Sequence, residues 1–346
     1  MTNDKLDDIL ANLSRPHPEE PAQQAPRTMP ASLETNASRV PQDEGKRRQQ
    51  PREKHDVHGW VVLDKPSGMT STQAVGAIKR LYKAKRAGHA GTLDPLASGM
   101  LPIALGEATK TVPFVIDGRK TYSFTVRWGE ERDTDDTEGR ATRTSDARPD
   151  AAAIRAQLAN FIGTVMQVPP QFSAIKVDGE RAYDLARDGE VVELASREVR
   201  IERLDLVEIP DADTAMFEAE CGKGTYVRAI ARDLGLALGC LGHVAHLRRT
   251  RVGPFAVADA ASVEALRDGD GAAEALLPVS AALTLIPEIV LHRDAAARLK
   301  RGQSALLRGA GAPIELEAAY ATCAGTLVST GSVQNGEFVP HRVFNL

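Results

Sequence analysis

Residues 88–99, Gly-His-Ala-Gly-Thr-Leu-Asp-Pro-Leu-Ala-Ser-Gly, constrain the fold more than any other stretch of the chain. Gly88, Gly91 and Gly99 give the backbone a freedom that packed elements do not need, and Pro95 fixes the chain direction. One carboxylate, Asp94, and one imidazole, His89, stand among small and apolar neighbours. Such a loop presents a side chain, and the surrounding elements must be arranged to receive it. Asp94 followed by Pro95 is also an ordinary helix start, with Asp as N-cap and Pro in the first turn. Gly99 and Pro102 would cut that helix to about one turn, so local chemistry leaves both readings open. No Gly-Lys-Ser/Thr closes the segment, as a Walker phosphate loop requires.

The flanking periodicities supply the frame. Trp60–Leu63 reads as a buried strand and Asp64–Gly68 as a turn, in which Lys65 either meets a phosphate or closes the turn; spacing favours the latter. Thr70 or Ser71 caps a helix ending near Tyr82, with Ala74, Val75, Ile78 and Leu81 on its apolar face. A helical stretch is expected around 109–115, and Tyr122–Trp128 alternates with period two, as a half-buried strand does. The acid-rich loop 130–138 lacks the register of an EF-hand and reads as a solvated turn. An amphipathic helix over 150–163, strands over 164–168, 198–209 and 214–221, and a helix carrying Tyr183 and Arg187 follow. The strand ending at Cys221 runs into Gly222-Lys-Gly-Thr-Tyr-Val-Arg228 and a helix to about Leu238. That second glycine corner is either an anion-facing site or a plain strand-to-helix connection with an exposed arginine. Helices and strands interleave without a βα repeat, which predicts an α+β fold with a mixed, largely antiparallel sheet and flanking helices.

Composition narrows the rest. The chain has 346 residues, 42% of them hydrophobic, enough for a substantial core. No apolar run approaches the roughly 18 residues of a membrane span, and Asp4, Lys5, Asp7 and Asp8 do not begin a signal peptide, so no membrane association and a cytoplasmic location are expected. Three cysteines without Cys-x-x-Cys spacing, and one isolated histidine pair, His243 and His246, predict no disulfide framework and no metal. A net charge of −4 carries no global nucleic-acid signature, but two basic runs, Lys79–Arg86 and His246–Arg251, lie beside the glycine loops and permit local polyanion binding. Residues 1–55, with no aromatic residue and one glycine, read as a disordered tail with helical spacing at Leu6, Ile9, Leu10 and Leu13.

Four segments taken in order, Leu63–Ser71, Gly88–Gly99, Ser173-Ala-Ile-Lys176 with Tyr183, and Lys223–Arg228 followed by Leu247-Arg-Arg249, make the chain similar to the TruB-type tRNA pseudouridine-55 synthases. The resemblance covers residues 59 to about 260. It implies isomerisation of uridine-55 in the T-loop of tRNA, without cofactor or metal, by base flipping and attack from an aspartate. Carried over by position, Asp94 is the nucleophile, Tyr122 stacks on the target base, Arg228 pairs with the carboxylate, and Leu247 and Tyr226 line the base pocket. His89 supports the flipped RNA loop, and Lys65 joins the substrate-binding candidates.

The pseudouridine synthase fold is then expected over 56–282, after the 1–55 tail, with a small PUA-like β domain over 283–346. The strand-like runs there are 288–291, 305–307, 314–316, 325–328 and 337–343. The tRNA T-arm is the expected partner of a monomer with no obligate protein partner. A guide-RNA-dependent relative shares the aspartate loop but is disfavoured by the lack of a long basic tail. An RNA chaperone with a vestigial site would have lost Asp94, Tyr122 or Arg228, and all three are present.

Overall fold

The computed structural model describes residues 54–173, 175–177, 180–181, 194–268, 271–309 and 311–346. The expected tail up to residue 53 and the expected helix carrying Tyr183 and Arg187 lie outside the described residues.

The chain begins with β1 (Gly59–Lys65), α1 (Ser71–Leu81), β2 (Ala87–His89) and β3 (Ser98–Leu105), then a 3-10 turn, α2 (Val112–Ile116) and β4 (Lys120–Trp128). A hairpin of β5 (Glu130–Arg132) and β6 (Ala141–Thr144) precedes α3 (Ala151–Leu158) and β7 (Gly163–Gln167). The short pair β8 (Lys176–Val177) and β9 (Glu180–Arg181) leads to β10 (Arg197–Asp211), β11 (Thr214–Cys221), α4 (Val227–Ala237), β12 (Gly242–Val252) and β13 (Phe255–Ala256). The C-terminal part holds α5 (Gly271–Glu274), β14 (Glu288–Val290), α6 (Arg293–Lys300), β15 (Ala305–Leu306), β16 (Leu316–Cys323), β17 (Thr326–Gln334) and β18 (Glu337–Val343).

The larger sheet runs β1-β3-β12-β4-β11-β10-β7, with β2 on β3 and β13 on β12. Its pairings are antiparallel except β3 with β12, where Ser98 faces Arg248 and Gly99 faces Arg249. The mixed, largely antiparallel sheet is the one expected. A smaller sheet, β14-β16-β17-β18-β15, forms the C-terminal β layer. Its strand β17 serves two cores: Leu327 belongs to the one with Trp60, Phe255 and Phe344, and Val328 and Val333 to the one with Leu299, Ala321 and Phe338.

Local signals explain most elements. Thr70 and Gln73 close a capping box on α1, so the helix starts where the sequence places it. Asp150 caps α3, which ends at Leu158; Phe161 falls in a following 3-10 turn and is only half-buried, not an inward residue of a longer helix. Two C-terminal elements escape the pattern. α6 buries only Ala296 and Leu299, and β16 is alanine-rich, a helix-former's composition held in a strand because Ala319 and Ala321 fill a close sheet-to-helix gap.

Candidate active site

Asp94 is not a helix cap: residues 92–97 form a tight turn, in which the Ala97 N–H donates to Asp94 O at 3.1 Å. Both flanks of that turn are fastened. Ser71, the first residue of α1, donates its hydroxyl to Leu93 O and accepts from Leu93 N–H, both at 2.9 Å. On the other side Gly68 N–H donates to Pro95 O at 2.7 Å and Ser67 to Leu96 O at 2.8 Å. The turn over 66–71 thus brackets the aspartate on both sides.

Lys65, one of the expected substrate-binding residues, sits in this bracket. It is fully buried, and its ammonium donates to Pro66 O and Met69 O at 2.8 Å and to Pro95 O at 3.4 Å. Burial lowers its pKa to about 8, with the Asp94 charge opposing that shift.

A third fastening comes from Arg249, one of the basic run on β12. Strand pairing breaks up that run: Arg248 forms a forked pair with Asp64 at 2.9 and 2.8 Å, whereas Arg249 is buried. Arg249 donates to Met100 O at 2.9 Å, Gly91 O at 3.0 Å and Thr92 O at 3.2 Å. The parallel pairing of β3 with β12 makes this reach possible, and it demands Gly99: at φ +99°, a Cβ there would stand 2.3 Å from Arg249 O.

The receiving side is the second glycine corner. Tyr226 occupies the N-cap of α4, and the Gln167 amide closes on its backbone from the end of β7, accepting Tyr226 N–H at 2.8 Å and donating to Tyr226 O at 3.1 Å. One residue into the helix, Arg228 is buried, so the exposed-arginine reading of this corner falls. Its Nε lies 3.0 Å from Asp94 Oδ2, an ion pair whose N–H does not point along the contact. Its Nη1 donates to Thr134 O at 2.9 Å and lies 3.3 Å from Asp136 Oδ2, and its Nη2 donates to Phe172 O at 3.0 Å.

The loop over 130–138 is therefore not a solvated turn. Asp135 and Asp136 are buried because α4 brings arginines to them, a pairing invisible in local composition. Glu138, near both Asp136 and Asp94, has its pKa raised, first by burial and then by those like charges.

Asp94, Tyr122, Tyr226, Arg228 and Leu247 line one cavity of about 540 Å³, together with Arg249, Lys120 and residues 222–225. Tyr122 on β4 pairs across the ladder with Arg249, and burial raises its phenol pKa. The Arg197 guanidinium sits 5.1 Å from the Tyr226 ring centre, a cation–π contact. The Asp94 side chain keeps 32% of its exposure, whereas that of Asp136 keeps 3%. His89 stands on β2 outside the cavity lining, with a pKa lowered first by burial and then by Arg249. Lys120, unnoticed in the sequence, is buried in the cavity wall, where its ammonium donates to Ile116 O and Gly118 O and its pKa is lowered to about 8 by burial. The arrangement offers a half-open carboxylate, an aromatic face and an apolar wall, suited to a flat ring brought within reach of a nucleophile.

Comparison with known proteins places the chain among relatives of one kind. Residues 79–227 match the model of the TruB family pseudouridylate synthase N-terminal domain, and residues 228–284 that of the tRNA pseudouridylate synthase B C-terminal domain. A tRNA pseudouridine synthase B of Bradyrhizobium diazoefficiens is 63% identical over 319 residues, covering 90% of this chain and 92% of the relative. Another, from Rhodopseudomonas palustris, is 64% identical over 303 residues, covering 85% and 83%. Among solved structures, a Cbf5-Nop10-Gar1 complex is similar in fold, with a TM-score of 0.63 at 24% identity over 83% of this chain and 84% of that one.

Proposed function

The chain belongs to the TruB family of pseudouridylate synthases, and from that premise we propose that it isomerises uridine-55 in the T-loop of tRNA to pseudouridine through Asp94. The observation that carries the reading is the half-exposed Asp94 carboxylate, 3.0 Å from buried Arg228, at a cavity walled by Tyr122, Tyr226 and Leu247. The carboxylate attacks the target nucleotide, the N-glycosidic bond breaks, and the uracil turns in the pocket and rejoins through carbon.

Each wall residue has a task in that sequence of events. Extruding a base from a folded RNA loop costs a few kcal/mol of stacking, which the Tyr122 ring offsets in part. Arg228 keeps the Asp94 carboxylate aimed, and Leu93, Leu247 and Ile116 keep water away while the detached base is retained. His89, on the rim strand, contacts the RNA loop and not the base.

The tRNA T-arm is the partner, bound by a monomer in the cytoplasm without obligate protein or cofactor. No helix among the described residues is long and apolar enough to cross a membrane. Residues 56–282 form the catalytic domain, and 283–346 a PUA-like β domain that packs on it through Leu327 and Phe344.

The test is to map pseudouridine in unmodified tRNA after incubation with the purified chain alone. Product at position 55 without added guide RNA supports the reading. Product only when a guide RNA is supplied would assign the chain instead to the guided mode of the box H/ACA ribonucleoproteins that share its fold.

A further inference from the structure

Arg228 is the inner rung of a two-rung ladder. One helical turn further along α4, Arg232 repeats its pattern of contacts on the same two segments. Arg228 binds Thr134 O and Asp136 in the acidic loop and Phe172 O in the segment after β7. Arg232 binds the Asp135 carboxylate in the same loop, Nη1 to Oδ2 at 3.0 Å, and donates to Val168 O in the same segment at 2.8 Å. Asp135 is a buried, non-glycine residue in the left-handed region, at φ +59°. That backbone choice turns residues 134 and 136 toward Arg228 while residue 135 faces Arg232. Arg232 and Asp135 do not touch the catalytic cavity; they line a separate one of about 580 Å³, with Pro169 and Gln171 in its wall.

We propose that Asp135 and Arg232 are positioning residues, an outer charged rung that sets the orientation of Arg228 and through it the aim of Asp94. The inference rests on the reading of Asp94 and Arg228 above. A buried ion pair contributes little to stability beyond what apolar packing would give, but it can fix registration between the elements it joins. Here it registers the acidic loop and the 168–172 segment on α4, so that both carbonyls and Asp136 meet the one guanidinium that faces the nucleophile. Displacing such a guanidinium by about 1 Å lowers turnover without loosening substrate binding.

Charge state gives the ladder a second signature. Burial raises the Asp135 pKa to about 6, against the opposing charges of Arg232 and Arg228. The other charged or titratable groups around it are Asp233 on α4, Asp133 and Asp136 in the loop, and Glu131 and Arg132 on β5; from β12 the Val244 N–H donates to Asp135 O, with His243 next to it in the strand. As pH falls through about 6 the carboxylate takes up a proton and the outer rung loses its ion pair.

Single-turnover pseudouridine formation on T-arm RNA, followed from pH 5 to 8 for wild type, Asp135→Asn and Asp135→Gly, tests this. Both variants are expected to react about tenfold slower at pH 7.5 with unchanged RNA affinity. The wild-type rate should fall below about pH 6, and this limb should be absent from both variants. Asp135→Gly relaxes the left-handed turn while deleting the charge, so a wild-type rate in that variant would overturn the proposal by showing that turn shape alone matters. A wild-type rate in Asp135→Asn, or a loss confined to RNA affinity, would overturn it as well. Absence of product from the wild type on tRNA would remove the functional reading itself, and this inference with it.

Discussion

Two aspartate loops meet on Arg228, and they are built in opposite ways. The loop of Asp94 is fastened through its backbone by Ser71, Gly68, Ser67, Lys65 and Arg249, and its carboxylate is left half-exposed. The loop of Asp136 is held through Thr134 O as well, but its carboxylates are taken up by two arginines of α4 and are buried. A loop held by its backbone keeps its side chain free to react. A loop held by its side chains has spent them on structure. The contrast fits the proposal that Asp94 attacks and Asp136 places charge, although both sit within ion-pair range of the same guanidinium.

The sharpest way to break this contrast is Asp94→Asn. An isosteric amide keeps the turn and removes the proposed nucleophile, so product formation should drop by at least about 10,000-fold while tRNA affinity in a filter-binding assay stays within about threefold. Turnover near wild type would move the chemistry to another group. Arg228→Lys comes next: lysine supplies the charge but cannot reach Asp94, Thr134 O and Phe172 O together, and kcat should fall about 1000-fold with the fold intact by circular dichroism. Asp136→Asn should cost about 100-fold in kcat and nothing in tRNA affinity, because the arginine loses one of two carboxylates and drifts from the other. If Asp136→Asn proved as inactive as Asp94→Asn, the division of labour between the loops would fail. The smallest effect is expected from Ser71→Ala, which leaves Leu93 N–H and O unpaired in a buried site. Urea unfolding should register a loss of about 2 kcal/mol and single-turnover kinetics a change of only a few-fold; a larger kinetic effect would mean that the backbone fastening sets the aim as well as the shape.

Much of this was legible along the chain. The glycine loop, the capped helix before it, the alternating strand through Tyr122 and the corner at Tyr226–Arg228 all have local causes: special backbone conformations, a capping box, period-two burial. The residues that complete the site have none. Asp136 sits in a run of acids that reads as solvated until α4 folds over it, and Arg249 sits in a basic run that reads as a surface until β12 lies parallel to β3. Gln167 at the end of β7 carries no signal at all, and Lys65 looks as much like a phosphate ligand as like a turn closure.

Which side chain is presented, and by what kind of loop, follows from glycine, proline and capping preferences that act over a few residues. The class of the sheet follows likewise, because periodicity is read one strand at a time. Which charges are buried, and with whom they pair, is settled by long-range packing. Arg228 lies 134 positions from Asp94 along the chain and Arg232 lies 97 from Asp135, and whether a buried charge is tolerable depends on a partner that folding alone delivers.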